Sequence, residues 1–516
     1  MPPGISIGVV GGGAAAVCLI DALARSGTGP GSLTVFEPSR HLWRGRAYQV
    51  DSDTVRVNAP PDDMSVRAGD LDHFARWLAA RDRTTGSATA CAQDADRFSG
   101  VRFAPRPLYG EYLEESANAA VDALRRGGWR VEIVARAVTE AVREPRRVLL
   151  DAGDGPARAV DYAVLCVGGD GPRDLYGLSG LPGFVADPYP VSRSLRRIAA
   201  DDHVAVIGSG LTAVDIVLSL AARGHRGPIS LLSRRGVLPG VRQRPVPLRL
   251  RHLTPERVRH EAAARRELTL EDVAAVLRAE FRDAGADPGA VVREIERVDT
   301  EDPVDRLRRQ LGEVDSPHLG LRILQRAVPE TGPDLWPVLR EEDRLHILRA
   351  HHRTVMSLCC PMPPSSAAVL LGLVEAGQLR MVSGLLDVVP AEEGGFDVLA
   401  ADGTGFRATK VVNAVNASHG RVPARAVSLV TSLVRARAAG RHPHGGLHLA
   451  RATSRLTRDG RPDPRLYGLG NIAAGALFFT FGIPSLVDRS EDIVSAIRDD
   501  FATVTAPRGP ARLTAA

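Results

Sequence analysis

The sequence predicts an α/β protein with two Rossmann-like dinucleotide-binding domains, the second carrying an α-helical insertion. Three observations carry that expectation. The pattern G-x-G-x-x-A occurs twice, each time between a short apolar strand and an apolar helix. The two copies are far enough apart for each to open its own βαβ unit. Between about 240 and 350 the chain reads as helices with capping signals, not as alternating strands.

The first copy follows the strand Ile5-Ser6-Ile7-Gly8-Val9-Val10 and runs Gly11-Gly12-Gly13-Ala14-Ala15-Ala16 into a helix. The first glycine makes the tight turn and the second lets the backbone approach a pyrophosphate. The small Ala16 lets the helix pack on the sheet. Unpaired N–H groups at the helix start favour the phosphates. The next strand, Leu33-Thr34-Val35-Phe36, ends at Glu37. A carboxylate there accepts hydrogen bonds from ribose hydroxyls and repels a 2′-phosphate, so this site suits FAD or NAD.

The second copy follows His203-Val204-Ala205-Val206-Ile207 and runs Gly208-Ser209-Gly210-Leu211-Thr212-Ala213. Its next strand, Ile229-Ser230-Leu231-Leu232, ends in Ser233-Arg234-Arg235. A hydroxyl and two guanidiniums replace the carboxylate, the pattern expected for the 2′-phosphate of NADPH. Solvated arginines beside NADH are the competing reading. Hydride must then pass from NADPH to something held in the first site, and FAD is the acceptor that fits.

Composition bounds the rest. The 516 residues are 44% hydrophobic and 25% charged, as in an ordinary soluble protein of several domains. Lys plus Arg number 66 against 61 Asp plus Glu, and Lys410 is the one lysine. Acids interleave with the arginines, so no nucleic-acid footprint is expected. Five cysteines at no framework spacing, with no leader ahead of Ile5, suit the cytoplasm. Cys359-Cys360 reads as two packed thiols. The longest apolar stretch, 472–487, is broken by Thr480, Gly482 and Pro484 and is no membrane span. No metal site is expected: His346, His351 and His352 share no third donor at ligand spacing.

Further blocks point to a family. They are Gly45-Arg46-Ala47-Tyr48, Val57-Asn58-Ala59-Pro60-Pro61-Asp62-Asp63-Met64-Ser65, Phe74-Ala75-Arg76-Trp77-Leu78 and Pro105-Arg106-Pro107-Leu108-Tyr109-Gly110-Glu111-Tyr112-Leu113. In this order they resemble the FAD/NAD(P)-binding flavoproteins, relatives of flavin-dependent N-hydroxylating and class B monooxygenases. Val164-Leu165-Cys166-Val167-Gly168-Gly169 stands where that family has a strand ending in A-T-G. Val411-Val412-Asn413-Ala414-Val415-Asn416 departs from it, with Val-Asn for Thr-Gly. Asn471 replaces the usual Asp after Gly470.

The resemblance implies a discontinuous FAD domain (1–174 and 421–516) with the NADPH domain (175–420) inserted and helices at about 240–350. It implies FAD contacts at Gly11, Gly12, Gly13, Ala14, Ala15, Glu37, Pro38, Arg46, Asn58, Met64, Val138, Gly168, Gly470, Asn471, Pro484 and Ser485. NADPH contacts fall at Gly208, Ser209, Gly210, Leu211, Thr212, Ser233, Arg234, Arg235 and Asn413. Asn58, Met64, Ser65, Phe478 and Phe479, with Phe481, are expected near the flavin. The activity implied is an NADPH- and FAD-dependent monooxygenase using O2 and a small amine or amino acid, through a flavin C4a-(hydro)peroxide. The alternative is an NADPH-dependent flavoprotein reductase passing electrons to a small carrier protein. Oligomeric state is left open, a homo-oligomer included.

Overall fold

The computed structural model describes residues 4–84, 95–153, 155–264, 267–415, 420–480 and 482–505. Cys91, Asn416 and Phe481 lie outside these. The first lobe contributes β1 (Ile5–Val10), β2 (Gly31–Phe36), β3 (Arg130–Val134), β4 (Glu140–Arg143), β5 (Val148–Asp151), β6 (Arg158–Val160) and β7 (Tyr162–Leu165). The second contributes β8 (Phe184–Val185), β9 (Val204–Ile207), β10 (Ile229–Leu232), β11 (Leu379–Val382), β12 (Leu385–Pro390), β13 (Phe396–Ala400), β14 (Gly405–Ala408) and β15 (Lys410–Asn413). The chain then returns with β16 (Arg455–Arg458) and β17 (Arg461–Gly468).

The two lobes share one plan. The first sheet has the order β16-β17-β7-β1-β2-β3, parallel except for β16. The second has the order β11-β10-β9-β15-β8 and is parallel throughout. In each, the strand before the glycine turn, β1 or β9, lies inside the sheet where the strand order reverses. That is the place where doubly wound sheets open a crevice for ligands.

These strands are buried on both faces, which explains their continuous apolar runs. On one face of the first sheet, Val9 and Val35 pack with Val17 and Ile20 of helix Ala14–Arg25, and with Ile493 of helix Ile483–Thr505. On the other face, Val10 and Leu165 meet Leu150 of the antiparallel sheet β4-β5-β6 and Leu429 of helix Val427–Arg435. The second sheet repeats this. Val206 packs under Ile216 of helix Leu211–Ala222, while Ile207 meets Val388 and Phe396 of the antiparallel sheet β12-β13-β14.

Between β10 and β11 the helices run from Pro255 to Glu375, past the 350 expected. The last one, Pro364–Glu375, packs Leu370 with helix Leu211–Ala222 and is the crossover helix of the second sheet. The preceding ones form the insertion. Thr269 and Asp272 make the capping box read from sequence, with Asp272 N donating to Thr269 Oγ1 at 3.0 Å.

Polar side chains join the lobes. Arg106, from the start of helix Arg106–Arg126, lies 2.9 Å from the Asp215 carboxylate on helix Leu211–Ala222. Its guanidinium also donates to the Tyr189 hydroxyl at 3.2 Å, and Tyr189 donates in turn to Asp215. Arg46 and Arg106 both lie over the Tyr189 ring, at 5.5 and 5.6 Å. The Asp51 carboxylate receives the N–H groups of Val191 and Ser192 at 2.9 and 2.8 Å. Burial pushes the Asp215 carboxyl up, against the pull of Arg106. Arg106→Ala would leave that carboxyl buried without its cation. The expected outcome is a loss of about 3 kcal/mol, read as a lowered unfolding midpoint in urea.

Candidate functional site

The first glycine turn is closed by contacts that only glycine permits. Gly11 has φ +107°, and a Cβ there would lie 2.2 Å from the carbonyl oxygen of Cys166 at the end of β7. Gly11 N–H donates to Phe36 O at 2.8 Å. Glu37 is 5% exposed, and its carboxylate takes Gly12 N–H at 2.7 Å and Ser39 N–H at 2.8 Å. Gly13 stands at the N-cap of helix Ala14–Arg25, and no side chain caps the helix. Its missing Cβ would face the Gly45 Cα at 3.5 Å. Two glycines therefore oppose each other and leave a slot walled by backbone.

The far end of the chain completes this region. Gly470 lies against Ala15, 3.8 Å from its Cβ to the position a Cβ would take. Asn471 sits beside Gly169 and donates its amide to Arg421 O at 3.0 Å. Gly168 adopts φ +69° next to it. The structure thus brings Gly11, Gly12, Gly13, Ala14, Ala15, Glu37, Gly168, Gly470 and Asn471 to one helix N-terminus.

Other expected contacts stand elsewhere. Arg46 pairs with Asp187 at 2.6 Å in the segment between the lobes. Pro38 is exposed beyond Glu37. Val138 is buried in the core under the small antiparallel sheet. Met64 is buried, and its carbonyl accepts the Tyr109 hydroxyl at 2.8 Å. The Ser65 hydroxyl donates to Asp70 O at 2.6 Å. Asn58 bridges to the insertion, its amide donating to Pro361 O at 3.3 Å.

Phe478 and Phe479 are both buried, in a cluster with Trp336, Leu268 and Leu339 of the insertion. Phe478 stacks on Trp336 with centroids 4.5 Å apart and meets His352 edge-on at 6.0 Å. Its φ of +61° is a backbone conformation rare for a bulky side chain, held here by that packing. Trp336 Nε1 donates to Gly475 O at 3.0 Å. Ser485 Oγ, in the first turn of helix Ile483–Thr505, donates to Phe479 O at 3.0 Å and closes the loop. Pro484 precedes it in that turn.

The second glycine turn repeats the first. Gly208 has φ +122°, and its missing Cβ would lie 2.7 Å from Ala414 O, just past the end of β15. Gly210 is the N-cap of helix Leu211–Ala222, again with no side-chain cap. Ser209 Oγ donates to Val237 O at 2.7 Å, and Thr212 engages Tyr189. Ser233 Oγ accepts Gly236 N–H at 2.8 Å and so shapes the arginine turn. Arg235 pairs with Asp299 at 2.8 Å. Arg234 is exposed and has no ion pair among the described residues. Asn413 is buried, its amide donating to Arg173 O at 3.2 Å and its oxygen taking Val415 N–H at 3.1 Å. It staples β15 to the inter-lobe segment.

Sequence reasoning missed three residues here. Trp336 and Tyr189 are rare aromatics in segments that matched no motif. Arg353, on helix His352–Cys359, comes near Arg234 and Arg235. Burial, then those two like charges, hold its guanidinium below the usual range. Its sequence distance from the arginine turn gave no signal.

Below the Phe478 loop lies a histidine group. His442 Nδ1 accepts His444 N–H at 3.1 Å, and His444 meets Glu341 at 2.9 Å. Burial, with His448 and His444 beside it, holds His442 down to about 4. Cys18, Cys166, Cys359 and Cys360 are free thiols. Among the described residues no three His, Cys, Asp or Glu side chains group as a metal site, and no helix is long and apolar enough to cross a membrane.

Comparison with known proteins agrees with this geometry. The FAD-NAD(P)-binding family matches residues 8–170. No curated protein matches. Among solved structures, the ornithine N-hydroxylase of Kutzneria sp. 744, with reduced FAD, NADP+ and L-ornithine, is 15% identical. Its TM-score is 0.56 over 97% of this chain and 100% of that one. The L-lysine 6-monooxygenase of Pseudomonas syringae is 14% identical, with TM-score 0.57 over 96% and 99%. The FAD-bound cadaverine monooxygenase of Erwinia amylovora is 14% identical, with TM-score 0.58 over 96% and 95%. This chain has their fold.

Two measurements test this geometry. Gly11→Ala forces a methyl into the Cys166 carbonyl, so the protein should unfold more readily and lose its dinucleotide on purification. The depressed His442 is neutral in the folded chain. It therefore contributes stability that is present above pH 6.5 and is lost as pH falls from there through about 4. His442→Asn should shallow the fall in melting temperature over that window; an unchanged slope sinks the assignment.

Proposed function

We propose that this chain is an NADPH- and FAD-dependent monooxygenase that N-oxygenates a small amine or amino acid. One observation carries the reading. Two glycine turns of the same geometry sit at two parallel sheets, one followed by a buried carboxylate, the other by free and paired guanidiniums. Those residues fit the two cofactors. In the first lobe, residues 1–174 and 421–516, the uncapped start of helix Ala14–Arg25 and the Gly13–Gly45 slot would take the FAD pyrophosphate. Glu37 would accept from the ribose hydroxyls. In the second, residues 175–420, the start of helix Leu211–Ala222 would take the NADPH pyrophosphate. Arg234 and Arg235 would grip the 2′-phosphate.

Bound FAD would supply hydride acceptance and the activation of O2. The protein's part is to bind, orient and exclude water. Arg106, Tyr189 and Asp215 hold the two lobes in one relation, so hydride donor and acceptor meet without a search. The Trp336–Phe478–Phe479 cluster supplies an apolar boundary against solvent. No side chain has to act as a nucleophile. The fold shared with ornithine, lysine and cadaverine hydroxylases supports an amine or amino acid as substrate. The free thiols support a cytoplasmic setting.

Purified protein should be yellow and NADPH should bleach it faster than NADH. Arg234→Ala should reduce that preference by roughly 10–100-fold, the worth of one charge-assisted contact. An amine panel should give hydroxylamine in proportion to NADPH consumed. Reduction of an acidic electron carrier, with no oxygenated product, would replace this reading with that of a reductase.

A further inference from the structure

Several arginines that reach into the interior meet carboxylates: Arg106 has Asp215, Arg306 has Glu294, and Arg451 has Asp334 and Asp492. Arg322 instead spends its guanidinium on three backbone carbonyls. Arg242, half-buried, has no ion pair and one side-chain hydrogen bond among the described residues. Its Nε donates to Asn58 O at 2.8 Å, and its backbone N–H donates to Met362 O at 2.9 Å. Val241 pairs with Met362 as a parallel bridge. The residue is thus pinned where the Asn58 loop of the first lobe meets the segment following helix His352–Cys359.

Its two terminal nitrogens have no hydrogen bond and no ion pair among the described residues. They are not sealed in either, and keep some exposure to solvent. The guanidinium fork therefore opens into space. Burial nonetheless holds Arg242 below the usual range, and the titratable groups that face it are Asp63, the Cys360 thiol and Asp62. Asp63 lies on the turn Pro61–Met64, its carboxyl pushed up by burial. Cys360 packs with the cluster that holds Phe478.

A half-buried cation without an ion pair gains from a ligand that supplies one. A guanidinium fork matches a planar carboxylate through two parallel hydrogen bonds. A carboxylate a little further off matches an ammonium. We propose that Arg242 anchors the α-carboxylate of an amino-acid substrate, with Asp63 facing its α-ammonium, so that this enzyme takes amino acids over the corresponding diamines. The inference rests on the N-oxygenating reading above and names its substrate class.

The test is equilibrium binding to the FAD-loaded enzyme, which needs no turnover. Ornithine is compared with putrescine, and lysine with cadaverine, by calorimetry. At least one amino acid should bind about tenfold or more tighter than its diamine. Arg242→Gln should weaken that amino acid by roughly 10–100-fold and remove the preference, and Arg242→Lys should keep part of it. Equal binding within each pair, or no binding by any of the four, overturns the proposal. So does an Arg242→Gln variant that slows flavin reduction by NADPH while keeping the preference, which would give the guanidinium to a cofactor. If Arg242→Gln does not load FAD, the wild-type pairs and Arg242→Lys decide. Failure of wild-type flavin reduction by NADPH strikes the redox reading instead, with the binding result standing apart.

Discussion

The approach of a glycine to the carbonyl at the end of a neighbouring strand organises both lobes. At Gly11 a side chain would collide with Cys166 O, and at Gly208 with Ala414 O. Because neither has a Cβ, strand, turn and helix can follow one another with almost no loop. The first helical N–H groups then face outward at the strand ends instead of being capped by a side chain. The helix starts are open because the turns are tight. Glu37 stands beside one of these openings, and Arg234 with Arg235 follows the strand next to the other.

A second constraint relates these openings to each other. Arg46 and Arg106 both lie over the Tyr189 ring, and Asp215 ties that group to the helix that starts at the second glycine turn. The cost of burying Asp215 and Arg106 is offset by mutual charge and by the shared hydroxyl. A bare apolar junction could slide, whereas this one has a defined register set by directional bonds. Arg46 takes part through Asp187, and so belongs as much to the junction as to the first turn.

The helical insertion adds what the two sheets lack, a lid of apolar and polar groups over the returning chain. Trp336 reaches Gly475 and stacks on Phe478, and the packing holds Phe478 at a positive φ. The same insertion carries Arg353 toward the arginine turn and brings Pro361 and Cys360 beside Asn58. Segments that matched no motif therefore supply contacts that the two glycine turns do not announce.

The boundary between what was legible and what was not follows from the range of the interactions. The two glycine turns, the strands on either side and the sign of charge after each second strand could be read from local patterns, since all depend on residues within one βαβ unit. The capping box at Thr269 and Asp272 was legible for the same reason. It took the packed fold to show that Arg106 meets Asp215 and that Trp336 covers Phe478. That fold alone placed the Asn413 amide on Arg173 O. These pairings join residues far apart in the chain, and their partners are set by how the sheets and the insertion pack, which no local pattern encodes.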